Sequence, residues 1–371
     1  MNKQKVLVIT RHAIANYGSL LQAVATQKAV ENLGFECKII DYIRKDEYHA
    51  NSTVTIAKTK KRIRKNPVLF MMYCFVRFPE NVIINRKFEK MRKKLLPMTE
   101  CIHTKEELRN KLEDADYYMT GSDQVFGPVL YGGYDWSYFL DFVPDSRKKI
   151  AYAASFGKME IDSEDARKMQ RLLNRYDHVA VRENQAVGLL KEWNIDADQV
   201  IDPTLLFNAQ EWKKLINYSD NKNKNKYVLI YQIHNNKELS DYAKKFAKKM
   251  NLPLVRVSAM IHQCFKGGKF VAVPQLSDFL TYINNAAYIV TDSFHGTAFA
   301  INFNTPFVTL MPKTGTSARN ISLLELTGLT GQIAKDAEDF HVLDKKVDFS
   351  KANEVLELER KRSIDILKSM I

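Results

Sequence analysis

Four cysteines in 371 residues, at positions 37, 74, 101 and 264, are scattered and form no CxxC pair. This argues against a disulfide framework or a cysteine-based zinc site, and a reducing cytoplasm is the simple reading. No apolar run approaches the roughly 20 residues needed to span a bilayer. The start, Met1 to Thr10, is too short in its apolar part for a signal peptide and reads as a first strand. There is no short internal repeat at a fixed period and no named nucleic-acid motif. Acidic side chains are scarce in one place above all. Between Lys58 and Lys94 thirteen Lys or Arg meet only Glu80 and Glu89, so this segment carries +11 of the net +13.

A hydrophobic content of 45% and a charged content of 27% describe an ordinary globular protein. The length favours two domains over one core. The basic segment is not a simple tail, because its centre, Pro67 to Phe78, is strongly apolar and aromatic. Two readings stay open. The segment can rest in a membrane interface, with rings in the headgroup layer and cations over anionic lipid of the inner leaflet. It can equally be a helical insertion that buries Phe and Met against the core and leaves a solvated basic face. For nucleic acid, positive charge alone would have to carry the claim, and none is expected as a partner.

Strand-like and helix-like stretches alternate. Lys5–Thr10, Glu36–Tyr42, Tyr117–Thr120, Lys149–Ser155, His178–Arg182 and Val200–Asp202 read as strands. Gly18–Leu33 reads as a helix closed by Gly34. A second series follows the polar stretch Asn217–Lys226. It has strands at Tyr227–Ile233, Pro253–Val257, Ala287–Thr291 and Pro306–Leu310, and helices at Lys237–Met250, Leu276–Asn285 and from Ile321. The β-α-β rhythm predicts an α/β fold of two Rossmann-like domains facing across a cleft, with ligand at the strand ends. The expected boundaries are 1–216, a linker at 217–226, 227–345, and a C-terminal amphipathic helix at 346–371.

Five turns carry candidate chemistry. In Asp292-Ser-Phe-His-Gly-Thr297 a histidine lies between a buried strand and a helix, where unpaired amides and the helix dipole favour an anion. His295 could move a proton or, as a cation, hold phosphate, although a lone histidine is often structural. Asn16-Tyr-Gly-Ser-Leu-Leu-Gln22 opens the first helix, and Ser19 capping that helix is the simpler reading. Gly121-Ser-Asp-Gln124 exposes a carboxylate that could orient a sugar hydroxyl, or is merely a turn. Arg182, directly after a strand, suits carboxylate or phosphate, or an ion pair with Glu183 or another acid. Lys313 and Arg319 could converge on the same anion, or sit in a solvated loop.

Taken in order, Asn16-Tyr-Gly-Ser…Gln22, Gly121-Ser-Asp-Gln-Val125, Tyr152-Ala-Ala-Ser-Phe-Gly157, Val181-Arg-Glu183, Asp202-Pro-Thr-Leu-Leu206 and Ser293-Phe-His-Gly-Thr297 resemble the polysaccharide pyruvyl transferase family. The resemblance covers most of the chain and leaves out the basic segment and the C-terminal helix. It implies a GT-B-like arrangement and transfer of a carboxyethylidene group from phosphoenolpyruvate, a co-substrate, to two hydroxyls of one sugar. The product is a cyclic ketal and phosphate is released. No further cofactor and no metal are expected.

On this resemblance His295 and Arg182 are catalytic, and Ser293, Gly296, Thr297, Lys313 and Arg319 bind the donor. Asn16, Tyr17, Gly18, Ser19, Gln22, Ser122, Asp123 and Gln124 face the acceptor. Many members carry an arginine near the histidine where this chain has Phe294, and Arg319 or Lys313 would replace it. The acceptor would be a bacterial-type surface polysaccharide, capsule or exopolysaccharide, or its polyprenyl-diphosphate-linked precursor. A cytoplasmic enzyme, peripheral on the inner face of the membrane, would reach that precursor. The competing functions are a nucleotide-sugar glycosyltransferase of the same architecture, for which no acidic ribose-binding pair is visible, and a non-catalytic glycan-binding protein.

Overall fold

A computed structural model describes residues 3–48, 51–129, 133–216, 226–234, 236–311 and 317–371. The chain forms two compact units, Met1–Pro203 with Ser363–Ile371, and Thr204–Arg362. The chain thus changes unit at Pro203–Thr204. Of the polar stretch expected to be the linker, residues 217–225 lie outside the described residues.

The first unit holds six parallel strands: β1 (Lys5–Ile9), β2 (Glu36–Ile39), β3 (Tyr117–Thr120), β4 (Lys148–Ala154), β5 (His178–Val181) and β6 (Asp198–Gln199). Their order is β2-β1-β3-β4-β5-β6. The helices are α1 (Tyr17–Asn32), α2 (Asn51–Thr59), α3 (Lys61–Arg64), α4 (Pro67–Leu95), α5 (Lys105–Lys111), α6 (Ser163–Leu173) and α7 (Asn184–Glu192). Val6, Leu7, Val8 and Ile9 are all buried, as a strand covered on both faces requires. Helix α1 is buried nearly all round and ends where Gly34, at φ +98°, donates its amide to the Glu31 carbonyl (2.9 Å). The final strand pairs at Asp198–Gln199, just before the apolar Val200–Ile201 that suggested it.

The second unit repeats the plan with strands β7 (Val228–Tyr231), β8 (Leu254–Ser258), β9 (Lys269–Ala272), β10 (Tyr288–Thr291), β11 (Phe307–Leu310) and β12 (Ile333–Ala334), ordered β12-β11-β10-β7-β8-β9. Its helices are α8 (Pro203–Leu206), which starts at the boundary, α9 (Ala209–Leu215), α10 (Lys237–Lys249), α11 (Leu276–Asn285), α12 (Phe294–Asn302) and α13 (Ala318–Thr327). Helix α14 (Ser350–Met370) closes the series. Residues 204–216 belong here for a packing reason. Trp212 is fully buried against Phe299 of α12 (centroids 5.5 Å apart), and the Asn302 amide donates to the Thr204 and Phe207 carbonyls.

Helix α4 divides the basic segment into a packed part and an exposed part. By length and composition it is apolar enough to cross a membrane, although Arg77, Pro79 and Glu80 interrupt any simple apolar run. Its last third packs on the first unit: Ile84, Phe88, Met91 and Arg92 are buried, and the Phe88 ring lies 5.1 Å from Tyr17 of α1. Its first half does not, and Phe75 is 83% exposed. Phe88→Ala should therefore lower the unfolding free energy by about 3–5 kcal/mol, and Phe75→Ala by less than about 0.5 kcal/mol. Urea unfolding of the two variants beside the parent checks this, and equal losses would show that the whole helix is packed.

Candidate active site

Because every strand pair in a sheet is parallel, all the strand C-termini of one unit meet at one edge. In the first unit that edge is tied together by small polar side chains. Thr10, just past β1, donates its hydroxyl to the Ser122 carbonyl (2.7 Å) and accepts from the Gln22 amide (2.9 Å). Asn16, rather than Ser19, caps α1 by accepting from the Gly18 amide (2.9 Å). Ser19 therefore donates to Asp123 instead, at 2.6 Å. Tyr17 is fully buried on Phe88 and holds this loop in place.

Asp123 adopts a left-handed backbone at φ +73°, a conformation that costs a non-glycine residue energy and aims its carboxylate. Its carbonyl accepts from the Ser155 amide (3.1 Å), linking the β3 and β4 ends. Ser122 Oγ and Gln22 Oε1 are buried with no hydrogen-bond partner among the described residues. Buried polar atoms of this kind are costly unless something fills the site.

Arg182, at the end of β5, lies at the same edge. Arg182 forms an ion pair with Asp202, with both side chains buried. Burial opposes the guanidinium charge, yet Asp202, Glu183 and Asp123 hold its pKa above the ordinary value. Glu183 in turn accepts from the Ser155 hydroxyl. Asp202 and Ser155 lie in the family motifs but were not expected at the site, because each meets its partner 20 and 28 positions away respectively.

In the second unit the β10 end and α12 form the histidine turn. Thr291 donates to the Tyr231 carbonyl (2.7 Å), and buried Asp292 accepts from the Ile233 and His234 amides (3.0 and 3.3 Å). These bonds lock the turn onto the end of β7. Ser293 caps α12 by accepting from Gly296 (3.3 Å). The backbone amides of the three residues expected to bind the donor here are engaged within the turn itself. Ser293 donates to Thr291 Oγ1 (3.0 Å), Gly296 to the Ser293 side chain, and Thr297 to the Ser293 carbonyl (3.0 Å).

The turn also brings side chains together. His295 is buried, with its ring 5.2 Å from Phe294 at a near-perpendicular 79°. The Arg319 guanidinium, from the first turn of α13, lies 5.5 Å over the Phe294 ring. A cation thus stands next to the histidine turn although the position before His295 is aromatic. Thr297 Oγ1 is buried without a hydrogen-bond partner among the described residues. Lys313 lies outside the described residues. One further buried cation escaped the sequence reading. Arg256 of β8 donates to Gln232 Oε1 (2.9 Å), and burial pushes its pKa down to about 10.

Two parallel six-stranded sheets with flanking helices define an α/β protein of two Rossmann-like units, of GT-B type. Solved structures with this fold support the class. They include Staphylococcus aureus MnaA with UDP (TM-score 0.54, 14% identity, covering 98% of this chain and 96% of that one). The UDP-GlcNAc 2-epimerase of Methanocaldococcus jannaschii (0.52, 14%, 95% and 91%) and the UDP-N-acetylglucosamine 2-epimerase of Rickettsia bellii (0.51, 13%, 99% and 97%) are similar. No curated protein sequence matches the chain. The sequence profile of the family Polysaccharide pyruvyl transferase matches residues 16–313, so the chain belongs to that family.

Two substitutions test how tightly these edges are built. A Cβ on Gly296 would stand 2.4 Å from Thr291 Oγ1 and 3.0 Å from Tyr231 Cδ1, so Gly296→Ala should cost about 1–3 kcal/mol. Asp202→Ala removes a buried ion-pair partner of Arg182 and should cost about 3–5 kcal/mol. Denaturant midpoints measure both, and an unchanged midpoint in either variant would contradict the corresponding contact.

Proposed function

We propose that this family member transfers a carboxyethylidene group from phosphoenolpyruvate to two hydroxyls of one sugar, forming a cyclic ketal. The observation that carries this reading is that buried His295 and the Arg319 guanidinium both lie against Phe294 at the β10–α12 turn, within a chain of the pyruvyl transferase family. His295 delivers a proton to the methylene carbon of phosphoenolpyruvate, which becomes the methyl group of the ketal. The central carbon then takes positive character, and one sugar hydroxyl adds to it as its proton passes to a base. The second hydroxyl adds to the same carbon as the bond to the phosphate oxygen breaks, and phosphate leaves with the second proton. Arg319 and the Thr297 hydroxyl stabilise the phosphate as charge builds on it.

Arg182, expected to be catalytic, serves in this reading as a positioning residue. Its charge is already compensated by Asp202, so it organises the acceptor edge on which Asp123, Ser122 and Gln22 receive sugar hydroxyls. The acceptor in this reading is a glycan on a lipid carrier, reached from the cytoplasmic side.

Phosphate release from phosphoenolpyruvate is the direct assay, run against simple and lipid-linked galactosides with UDP-sugars as a control. Acceptor-dependent release is expected, with His295→Ala slower by about 10²–10⁴-fold and Arg319→Ala raised in KM for phosphoenolpyruvate. Absence of release with every acceptor, or full turnover by His295→Ala, would overturn the assignment.

A further inference from the structure

Helix α4 turns its apolar side the wrong way for a globular protein. Val68, Met71, Met72, Phe75 and Val76 follow the i, i+3, i+4, i+7, i+8 spacing of a single helical face. All five are at least 60% exposed. An apolar stripe of this kind normally faces a core, and here it faces outward. The opposite side is already occupied: α2 and α3 pack along α4, with the Asn81 amide donating to Thr53 Oγ1 (2.7 Å) and the Lys60 ammonium 4.9 Å over the Tyr73 ring.

The charge around the stripe is of one sign. No Asp or Glu occurs between Glu47 and Glu80, while Lys58, Lys60, Lys61, Arg62, Arg64 and Lys65 precede the stripe at its N-terminal end. Arg77, at the other end, is paired with Glu80. An exposed apolar face beside uncompensated cations is complementary to a bilayer surface that carries anionic headgroups over hydrocarbon. A second copy of the chain is a poorer fit. A symmetric contact across the stripe would bring two identical cationic clusters together in a patch with no carboxylates to offset them.

The fixed end of the helix decides how deep it goes. Pro67 to Phe78 spans about 18 Å at 1.5 Å per residue, short of the ~30 Å hydrocarbon core. Beyond it Ile84, Phe88, Met91 and Arg92 are held in the first unit. An exposed stripe of this length, anchored at that end, suits one leaflet's interface better than a crossing.

We propose that the first half of α4 is a docking surface for anionic membrane, and that α4 carries the acceptor loop to that membrane. The second part rests on the acceptor assignment above. The same helix that presents the stripe supports this loop at its other end. Phe88 packs on Tyr17, and the Arg92 guanidinium donates to the carbonyl of Ala13 (3.2 Å), three residues before Asn16. Asp41 binds the His12 ring (Nε2 to Oδ1, 2.9 Å) beside the same arginine, fixing the N-terminal side of that loop. A sugar on a membrane-embedded carrier is thus met by a loop braced on the membrane-bound helix itself.

Deleting residues 58–94 would be a poor test, because it removes the buried third of α4 from the core. The experiment is cosedimentation of the full chain with phosphatidylcholine vesicles, with and without phosphatidylglycerol, for the parent, Met71→Glu/Phe75→Glu and Lys61→Glu/Arg64→Glu, each checked by circular dichroism. The parent should bind only the anionic vesicles and be released by high salt, and each double variant should bind roughly tenfold or more weakly. Phosphate release with a soluble galactoside should be unchanged in Met71→Glu/Phe75→Glu, while release with a vesicle-borne acceptor should fall. Equal vesicle binding by parent and variants, or no binding by the parent, would overturn the docking surface. So would a dimer in vesicle-free solution that Met71→Glu/Phe75→Glu disperses without any vesicle binding. If no acceptor supports phosphate release, the pyruvyl-transfer reading fails while the vesicle result still decides the surface.

Discussion

Everything in this protein that bears on chemistry depends on parallel strand pairing. Within each unit every named strand runs parallel to its neighbours. Parallel pairing requires a crossover between successive strands, and the crossovers bury both faces of the sheet. The strands can then be short apolar runs with little alternation, as in Tyr288–Thr291, where all four residues are buried. It also places every strand C-terminus at one edge, so residues far apart in sequence share a small region. Thr10, Asp123, Ser155 and Arg182 meet in this way in the first unit, as do Tyr231 and Thr291 in the second.

That crowding has to be satisfied by hydrogen bonds, and short polar side chains at the strand ends provide them. Asp292 does so with two amides of the β7 end, and Thr291 with a carbonyl of the same strand. Thr10 plays the matching part in the first unit. The result is a rigid platform from which only a few groups are left to meet a ligand. On the second unit the Ser293, Gly296 and Thr297 amides are among the groups tied up in that bonding.

Much of this was legible in the sequence because it rests on local pattern. The strand–turn–helix at Tyr288–Asn302 and the helix closed by Gly34 are readable from apolar spacing and one glycine. The edge strands β9 and β12 are not: Lys269–Ala272 is half exposed, and Ile333–Ala334 is two residues long, so neither makes an apolar run. Pairings across the fold were equally hidden. Nothing local tells that Arg182 will choose Asp202 over its neighbour Glu183, or that Arg319 will settle over Phe294. Helix α4 defeated a single description because its two ends obey different constraints. Aromatic and basic residues occur along both halves of it, and only packing separates Phe75 from Phe88.

The C-terminal helix has a consequence for how the chain comes to be folded. Residues 363–371 return to the first unit, where buried Ser363 accepts from the Tyr152 hydroxyl through its carbonyl (3.0 Å) and from the Ile201 amide through its Oγ (3.2 Å). Tyr152 is a fully buried residue of β4, and Ile201 follows β6, so these bonds complete the interior of that unit. A ribosome delivers residues in order, and domains otherwise tend to fold as they emerge. Here the unit whose residues come first must wait for the whole of the second to be made before its last buried polar groups find their partners. Order of synthesis and order of completion are reversed.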